Sequence, residues 1–367
     1  MTSPSHDVAE ATRPIVIGGR EVGPGRPVYV IAELSANHRQ SQEHALELVR
    51  AAAAAGADAV KLQTYTPDTI TLDSDAPPFR HGEGSLWSGQ TLHDLYREAY
   101  MPWEWQPGII ELANELGLHC FSSPFDPTAV EFLDKLDVPA LKIASFELVD
   151  LPLIRAAAAT GRPLIISTGM ATLEEVDESV DAARGAGAGD IAILKCTSAY
   201  PAPPDQLHLR AIGLLERRYR VPIGLSDHTR GIVAAVAAVA MGATIVEKHF
   251  TISRADPSPD SAFSLESDEF AAMVQGIRTA EAALGEERVA PTADETESRR
   301  FRRSLFVVAD VGAGEPLTHE NVRSVRPAAG LHTRYLEAVM GRRASRDLPR
   351  GTPLAWDVME GGEEPVP

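Results

Sequence analysis

Five of the 34 basic residues in this 367-residue chain are lysines, and four of those five sit in short, strand-like runs. They are Lys61 in AVKLQT, Lys142 in LKIAS, Lys195 in ILKCTS and Lys248 in VEKHF. The fifth, Lys135, stands beside Asp134 and near Asp137 as an ordinary surface group. A chain that writes nearly all its cations as arginine keeps lysine where a compact point charge is wanted in place of a planar fork. Genomic base composition accounts for the shortage but not for where the survivors fall. A buried ammonium is costly unless paired, which makes a phosphate or carboxylate its natural partner.

Two of the eleven histidines are similarly placed: His228 in GLSDHT and His249 in EKHFT. Two neutral imidazoles make half of a coordination shell and leave positions for water and substrate oxygens. Asp227 and Glu247 flank them as supporting partners or as a general base. Glu33 ends the apolar run YVIAE and has two readings. It is either a carboxyl with a raised pKa that moves protons, or a structural acid paired with a lysine. The hydroxyls of Ser123, Ser145, Ser167, Thr168 and Ser226 can donate to phosphate oxygens or cap the helices that follow them.

These residues need a frame that brings them together. Residues 28–250 repeat one unit: a short β-branched run, a polar turn, then an amphipathic or Ala-rich helical stretch. The runs are Val28–Leu34, Ala59–Thr64, His119–Ser123, Ala140–Ser145, Pro163–Thr168, Ile191–Thr197, Pro222–Asp227 and Ala243–Phe250. Helices are expected at Gln42–Ala55, Trp103–Leu116, Thr128–Leu136, Pro152–Thr160, Leu173–Ala183, Leu207–Arg217, Ile232–Met241 and Ser267–Leu284. Gly56, Gly117, Gly161, Gly185 and Gly242 mark several helix ends. Strict alternation of this kind predicts a parallel sheet closed into a (β/α)8 barrel. No GxGxxG follows the first strand, which counts against a dinucleotide-binding sheet. All eight strand ends then carry polar or ionisable groups at the end where barrel active sites form. The four strand lysines lie on even-numbered strands, which feed the same interior layer. Lys248 has a second reading. Alternation sets it opposite Glu247 and His249, so it either joins the anion cluster or turns out to the helix layer and pairs with a carboxylate.

A long insertion, 66–102, follows the second strand and contains His81-Gly82-Glu83-Gly84, Trp87, Tyr96 and Tyr100. It reads equally as a cover for the substrate and as a surface loop with its own packing. The domain reading is an N-terminal extension over 1–27, the barrel over 28–285 and a polar linker over 286–300. A small, mostly β unit over 301–361, rich in arginine and in Gly/Pro turns, completes the chain.

The net charge is −18, which excludes a basic nucleic-acid face. Cys120 and Cys196 stand outside CxxC or zinc spacing and suit a reducing compartment. The opening MTSPSHDVAEATRP lacks a basic start followed by an apolar run, and no stretch is long and apolar enough for a membrane span, so the expected location is the cytoplasm.

The strand ends IAELSANH, AGADAVKLQTY, KIASFE, STGMA, CTSAYP, GLSDHT and EKHFT resemble the sialic acid synthase family. The resemblance runs from about Val28 to Met359. Its tail, RRSLFVVADVGAGEPLTHENV through RPAAG to GRRASRDLPRGTPL, looks like the family's antifreeze-like SAF domain. TYTPDTITLDSD, LWSGQTLHDLYREAYMPWEW and FSSPFD are similar to the pseudaminic acid synthase branch. The resemblance implies that C3 of phosphoenolpyruvate attacks the aldehyde of an open-chain amino sugar. Water then adds at C2, and phosphate leaves with C–O cleavage. For this branch the sugar is 2,4-diacetamido-2,4,6-trideoxy-altrose.

The resemblance also implies roles. His228 and His249 match ligands of a divalent metal, manganese first, with magnesium or cobalt as alternatives. Lys61, Ser123, Lys142, Ser145, Ser167 and Ser226 match phosphoenolpyruvate-holding positions. Glu33 and Glu247 match acids near the reacting carbons, and Tyr200 and Asp260 match sugar-side residues. Arg326 matches an arginine that the SAF domain inserts into the barrel of the other subunit, which implies a domain-swapped homodimer. Ser198 stands where family members often carry Asn, and Arg326-Pro327-Ala328-Ala329-Gly330 replaces the commoner RPGxG. Three other readings remain. One is the same chemistry on the N-acetylneuraminate or legionaminate precursor. Another is a Schiff-base pyruvate aldolase using Lys195. The last is a sugar-binding scaffold without turnover.

Overall fold

The computed structural model describes residues 12–82 and 88–362, so Glu83, Gly84 and Trp87 of the insertion lie outside the described residues. The chain divides into two compact units, Met1–Gly285 and Glu286–Pro367.

The first unit opens with an antiparallel hairpin, β1 (Ile15–Ile17) and β2 (Arg20–Val22), which the sequence reading had left inside an extension. Each strand is only three residues long, too short to show a period. Ile15, Ile17 and Val22 bury themselves in one cluster with Tyr29, Ala140, Leu164, Ile191, Ile223 and Ile245. These are first or near-first strand residues, so the hairpin closes the N-terminal end of the barrel.

Eight parallel strands form that barrel, as the alternation predicts. They are β3 (Tyr29–Glu33), β4 (Ala59–Thr64), β5 (His119–Pro124), β6 (Leu141–Ile143), β7 (Leu164–Ser167), β8 (Ile191–Cys196), β9 (Ile223–Asp227) and β10 (Ile245–His249), with β10 closing onto β3. Most strand residues are buried, as they must be with side chains filling the interior on one face and helices covering the other. The principal outer helices are α1 (Gln42–Ala54), α4 (Gln106–Glu115), α5 (Pro127–Lys135), α6 (Leu151–Ala159), α7 (Leu173–Gly185), α8 (Ala211–Tyr219), α9 (Val233–Ala240) and α10 (Ser267–Leu284). Between β4 and α4 the insertion adds two more, α2 (Pro67–Ile70) and α3 (Leu92–Ala99).

Local chemistry sets the boundaries. Ser41 accepts the His44 N–H at the start of α1, and Thr172 and Glu175 cap each other's backbone at the start of α7. Gly185 is the last residue of α7, and the left-handed turn falls at Gly187 (φ 101°) instead. α8 begins at Ala211, four residues later than expected, because Pro203 and Pro204 lead into a 3-10 turn.

Strand register places the chemistry. Glu33 lies opposite both Lys61 and His249, Glu247 opposite Ser226, and Lys248 opposite Asp227. These side chains therefore meet on neighbouring strands at the C-terminal end of the barrel.

The second unit contains a short α11 (Glu295–Ser298), an antiparallel pair β11 (Ser304–Val307) and β12 (Val322–Val325), and α12 (Leu336–Val339). Isolated bridges such as Val311 to Leu348 and Ala344 to Met359 extend the β character. Leu305, Val307, Leu317, Val322, Leu348, Leu354 and Met359 form its own core.

Candidate active site

The C-terminal strand ends surround a cavity of about 510 Å3. Alternation along the strands decides what faces it. Lys61 reaches Glu33 Oε2 at 2.6 Å, Glu247 Oε1 at 3.6 Å and Ser123 Oγ at 3.3 Å. Lys142 stands 3.7 Å from Glu247 Oε2. Gln63 donates to Glu33 Oε1 at 2.9 Å, and Ser226 donates to Glu247 Oε1 at 3.2 Å. Two ammonium groups and two carboxylates are thus buried together, and all four line the cavity.

Burial raises the Glu33 carboxyl to about 7, with Lys61 opposing and Glu247 adding to the rise. Burial works the same way on Glu247, but Lys142, Lys61 and His228 outweigh it and hold that acid below its ordinary range. Burial also opposes charge on Lys61, yet Glu247 and Glu33 keep its pKa above the usual lysine value. Lys142 is lowered by burial. The environment therefore separates two acids, one ionised and one poised near neutrality, which is the arrangement that acid–base chemistry needs.

His228 and His249 stand beside this cradle with ring centroids 5.3 Å apart. The Thr197 carbonyl lies 3.1 Å from His228 Nδ1; a carbonyl only accepts, so Nδ1 donates, and Nε2 is the nitrogen a metal would take once the ring gives up its second proton. His249 Nδ1 is engaged by Ser35 Oγ at 3.2 Å. Burial, then the nearby positive charges, lower the His249 pKa far enough to keep it neutral. Both imidazoles therefore present Nε2 with Nδ1 anchored, the usual state of a metal-ligating histidine. Among the described residues no group of three or more His, Cys, Asp and Glu is placed to hold a metal ion. The donor set fits an open catalytic site completed by water or substrate better than a closed structural one. Cys196 Sγ lies 3.7 Å from His228 Nδ1. Burial would raise that thiol, but the pairing with His228 brings it to about 6 and lifts His228 above its ordinary value against the effect of burial.

The other predicted residues separate by face. Ser145, Ser167, Tyr200, Ser226 and Asp260 line the cavity with Lys61, Lys142 and the acids. Ser167 Oγ is buried without a hydrogen-bond partner, while Ser145 accepts the Gly169 N–H at 3.0 Å. Gly169 tolerates no side chain, because a Cβ there would lie 2.0 Å from Ser198 Oγ. Tyr200 packs its ring 4.4 Å from that of His228. Asp260 accepts the Ala36 N–H at 3.4 Å, and burial raises its pKa. Ser123 does not line the cavity and acts through Lys61; Thr168 donates to the Leu194 carbonyl at 3.3 Å.

For the lysines, one expectation needs correction, at Lys195, and one pair of alternatives is decided, at Lys248. Lys195 donates to the Cys196 carbonyl at 2.6 Å and does not line the cavity. Lys248 points to the helix layer, where it pairs with Asp227 at 2.7 Å, both side chains fully buried. Even-numbered strands share a layer only for residues of matching inward phase, and these two lysines are one residue out of phase with the inward-facing Cys196, Glu247 and His249. Arg326 follows β12 in the second unit and is exposed. Its turn is held by Ser304, which donates to the Pro327 carbonyl at 2.6 Å and accepts from Gly330 N at 2.9 Å. Gly330 is the position that demands glycine, since a Cβ would sit 2.2 Å from the Leu305 carbonyl oxygen; Ala328 and Ala329 are free of that demand.

Sequence reasoning missed Gln63 and Glu147 as lining groups; Ser198, marked there by its departure from the family's Asn, also lines the cavity. Gln63 follows Lys61 by two residues, so alternation could have found it. Glu147 closes the KIASFE motif; burial lifts its pKa to about 7, and its Oε2 is buried without a hydrogen-bond partner.

A closed (β/α)8 barrel whose C-terminal strand ends gather ionisable groups around a cavity has the architecture of a barrel enzyme with its active site at that end. The NeuB family description matches residues 48–289, and the SAF domain description matches residues 302–358. The chain belongs to the NeuB family. It is 45% identical over 329 residues to the pseudaminic acid synthase of Campylobacter jejuni strain 81-176, covering 90% of this chain and 96% of that one. It is 43% identical over 336 residues to the pseudaminic acid synthase of Helicobacter pylori, covering 91% and 98%. Among solved structures, the N-acetylneuraminic acid synthetase of Leptospira borgpetersenii in complex with citrate superposes with a TM-score of 0.70 at 30% identity, covering 78% of this chain and 95% of that one.

Proposed function

We propose that the chain condenses phosphoenolpyruvate with 2,4-diacetamido-2,4,6-trideoxy-altrose, giving a nine-carbon ulosonic acid and phosphate. The observation that carries this reading is the buried cradle of Lys61 and Lys142 against Glu33 and Glu247, set beside His228 and His249 in one cavity. The identity to two pseudaminic acid synthases supports the choice of sugar.

In this reading Lys61 and Lys142 neutralise the phosphate and carboxylate of phosphoenolpyruvate, and Ser145, Ser167 and Ser226 donate hydrogen bonds to its oxygens. C3 forms its bond to the aldehyde carbon, and Glu33 supplies the proton that the aldehyde oxygen takes up. Glu247, held ionised, balances the positive charge that develops at C2 and takes a proton from the water that adds there. Collapse of that adduct passes the remaining hydroxyl proton to the departing phosphate, breaks the bond from C2 to the phosphate oxygen and leaves a ketone at C2. Tyr200 and Asp260 orient the sugar. His228 and His249 would hold a divalent cation, Mn2+ first and Mg2+ or Co2+ in its place, whose contribution is to polarise the aldehyde and orient the water.

Phosphate release from phosphoenolpyruvate, measured with a panel of aldoses with and without EDTA, tests the whole reading. The trideoxy sugar should drive release and EDTA should abolish it. Preference for N-acetylmannosamine would point to the sister reaction, and full turnover in EDTA would remove the metal. The Schiff-base alternative is disfavoured by Lys195, which does not line the cavity.

The homodimer belongs to the same proposal, with Arg326 of one copy completing the barrel of the other. Mixing Arg326→Ala chains with Lys61→Ala chains should restore about a quarter of wild-type activity, since half the dimers regain one of two sites. No recovery on mixing would overturn the swap. Among the described residues no helix is long and apolar enough to cross a membrane. A cytoplasmic location is part of the proposal.

A further inference from the structure

The cavity has two kinds of lining. The charged part comes from strand ends; an apolar part comes largely from the insertion between β4 and α4. Ile70 on α2 and Leu92, Leu95 and Tyr96 on α3 line the cavity, joined by Phe125 after β5 and Phe146 after β6. Leu92, Leu95 and Tyr96 are three and four residues apart, so they form one stripe of α3. Tyr65 lies buried among them and meets Tyr96 and Phe125 edge-on, at centroid distances of 5.6 and 5.1 Å. Leu95 is closed over as a packing residue would be. Ile70, Leu92, Tyr96 and Phe125 are only half-buried, and Phe146 is 60% exposed. That leaves apolar surface available inside a cavity whose other lining is mostly polar or charged.

We infer that this wall is the subsite for the sugar carbons farthest from the aldehyde, and that it selects a sugar bearing methyl groups there over one bearing a hydroxymethyl end. The inference rests on the synthase reading above. An open-chain sugar must bring its aldehyde to Lys61, Lys142 and the two histidines, so its far end lies along the insertion. Methyl groups gain by leaving water for such a wall, whereas a hydroxyl there gives up water without an assured partner. A wall of this kind discriminates by about 10–100-fold.

The test compares wild type with Ile70→Thr and Leu92→Thr, and with two apolar controls: Ile70→Val, which has the shape of the Thr variant, and Leu92→Met, which conserves volume. Phosphate release is measured with 2,4-diacetamido-2,4,6-trideoxy-altrose and with N-acetylmannosamine. Each Thr variant should raise KM for the trideoxy sugar about tenfold, leave KM for phosphoenolpyruvate unchanged and narrow the preference between the sugars. The controls should keep it. Saturation-transfer NMR of the trideoxy sugar on the full chain supplies a readout independent of turnover. Its methyl protons should receive the strongest saturation from wild type and lose it in the Thr variants. Equal losses for both sugars, a changed KM for phosphoenolpyruvate, or no methyl saturation on wild type would overturn the inference. If no sugar drives phosphate release yet the methyl signals behave as described, the wall stands and the synthase reading falls.

Discussion

Lys61 and Lys248 are both buried ammonium groups on barrel strands, each within 2.7 Å of a carboxylate from the neighbouring strand. By burial and partner they look alike, and the direction of the side chain separates them. Lys248 and Asp227 face the helices; the ammonium also donates to the Thr229 carbonyl, and Asp227 accepts the Thr229 N–H at 2.9 Å. Every strong group there is engaged and enclosed by protein. Lys61 and Lys142 face a cavity, share Glu247 at 3.6 and 3.7 Å, and keep donor capacity turned toward a space large enough for a ligand. A buried charge is therefore a functional sign only where the structure leaves it room to exchange partners.

The sharpest break in that comparison is to remove each lysine in turn. Lys248→Met strands Asp227 in the helix layer and should cost about 3–5 kcal/mol of stability, read by denaturant unfolding. Asp227→Asn combined with Lys248→Met should recover most of that loss, and the folded fraction should keep the wild-type KM for phosphoenolpyruvate. Lys142→Met should do the reverse. Turnover should fall by about 10²–10³-fold with a raised KM for phosphoenolpyruvate, while the melting temperature stays near wild type. If the two variants gave the same pattern, the distinction between the faces would be wrong.

This contrast also marks how far the sequence could be read. The barrel was legible because eight β-branched runs alternate with helical stretches, and the hydrophobic period carries that information locally. The cradle was legible at Glu33, Lys61, Lys142 and Glu247 because each ends or nearly ends a strand. The facing of Lys195 and Lys248 was not, since one residue of phase sends a side chain to the other face and a strand end is uncertain by about that much. For Lys248 the correct alternative was visible through its neighbours Glu247 and His249. The hairpin at Ile15–Val22 escaped notice because two three-residue strands carry no period. Ile70, Leu92 and Tyr96 were recognisable as an insertion, but which of its side chains reach the cavity depends on packing between elements distant in sequence.

Within the cavity the comparison narrows to two acids. Glu33 sits near 7 and Glu247 below its ordinary range, because Lys142, Lys61 and His228 all offset the burial of Glu247, while Glu33 has one nearby cation, Lys61, and a hydrogen bond from Gln63. Turnover should therefore show a limb near pH 7 that belongs to Glu33. Glu33→Gln should lower kcat by about 100-fold and flatten that limb. A limb that survives in the variant would assign the titration to another group.

Glu147 extends the contrast to a carboxyl without close ionic support. Burial raises it to about 7, and Lys142 only partly opposes that. A folded-state pKa above the ordinary value of 4.5 means that the folded chain favours the protonated form. The associated stability is fully present below pH 4.5 and is lost as pH rises through 7. Replacing Glu147 with Gln removes the titration but keeps the shape. Between pH 5 and pH 8, the unfolding free energy of Glu147→Gln should fall by about 2 kcal/mol less than that of wild type. Urea unfolding of the ligand-free chain at the two pH values measures the difference directly. Phosphoenolpyruvate binding should be nearly unchanged at pH 7, since Glu147 contributes neither a lysine contact nor a histidine anchor. An unchanged pH slope would mean that this carboxyl is solvated through the cavity, and would move it from the unsupported acids to the supported ones.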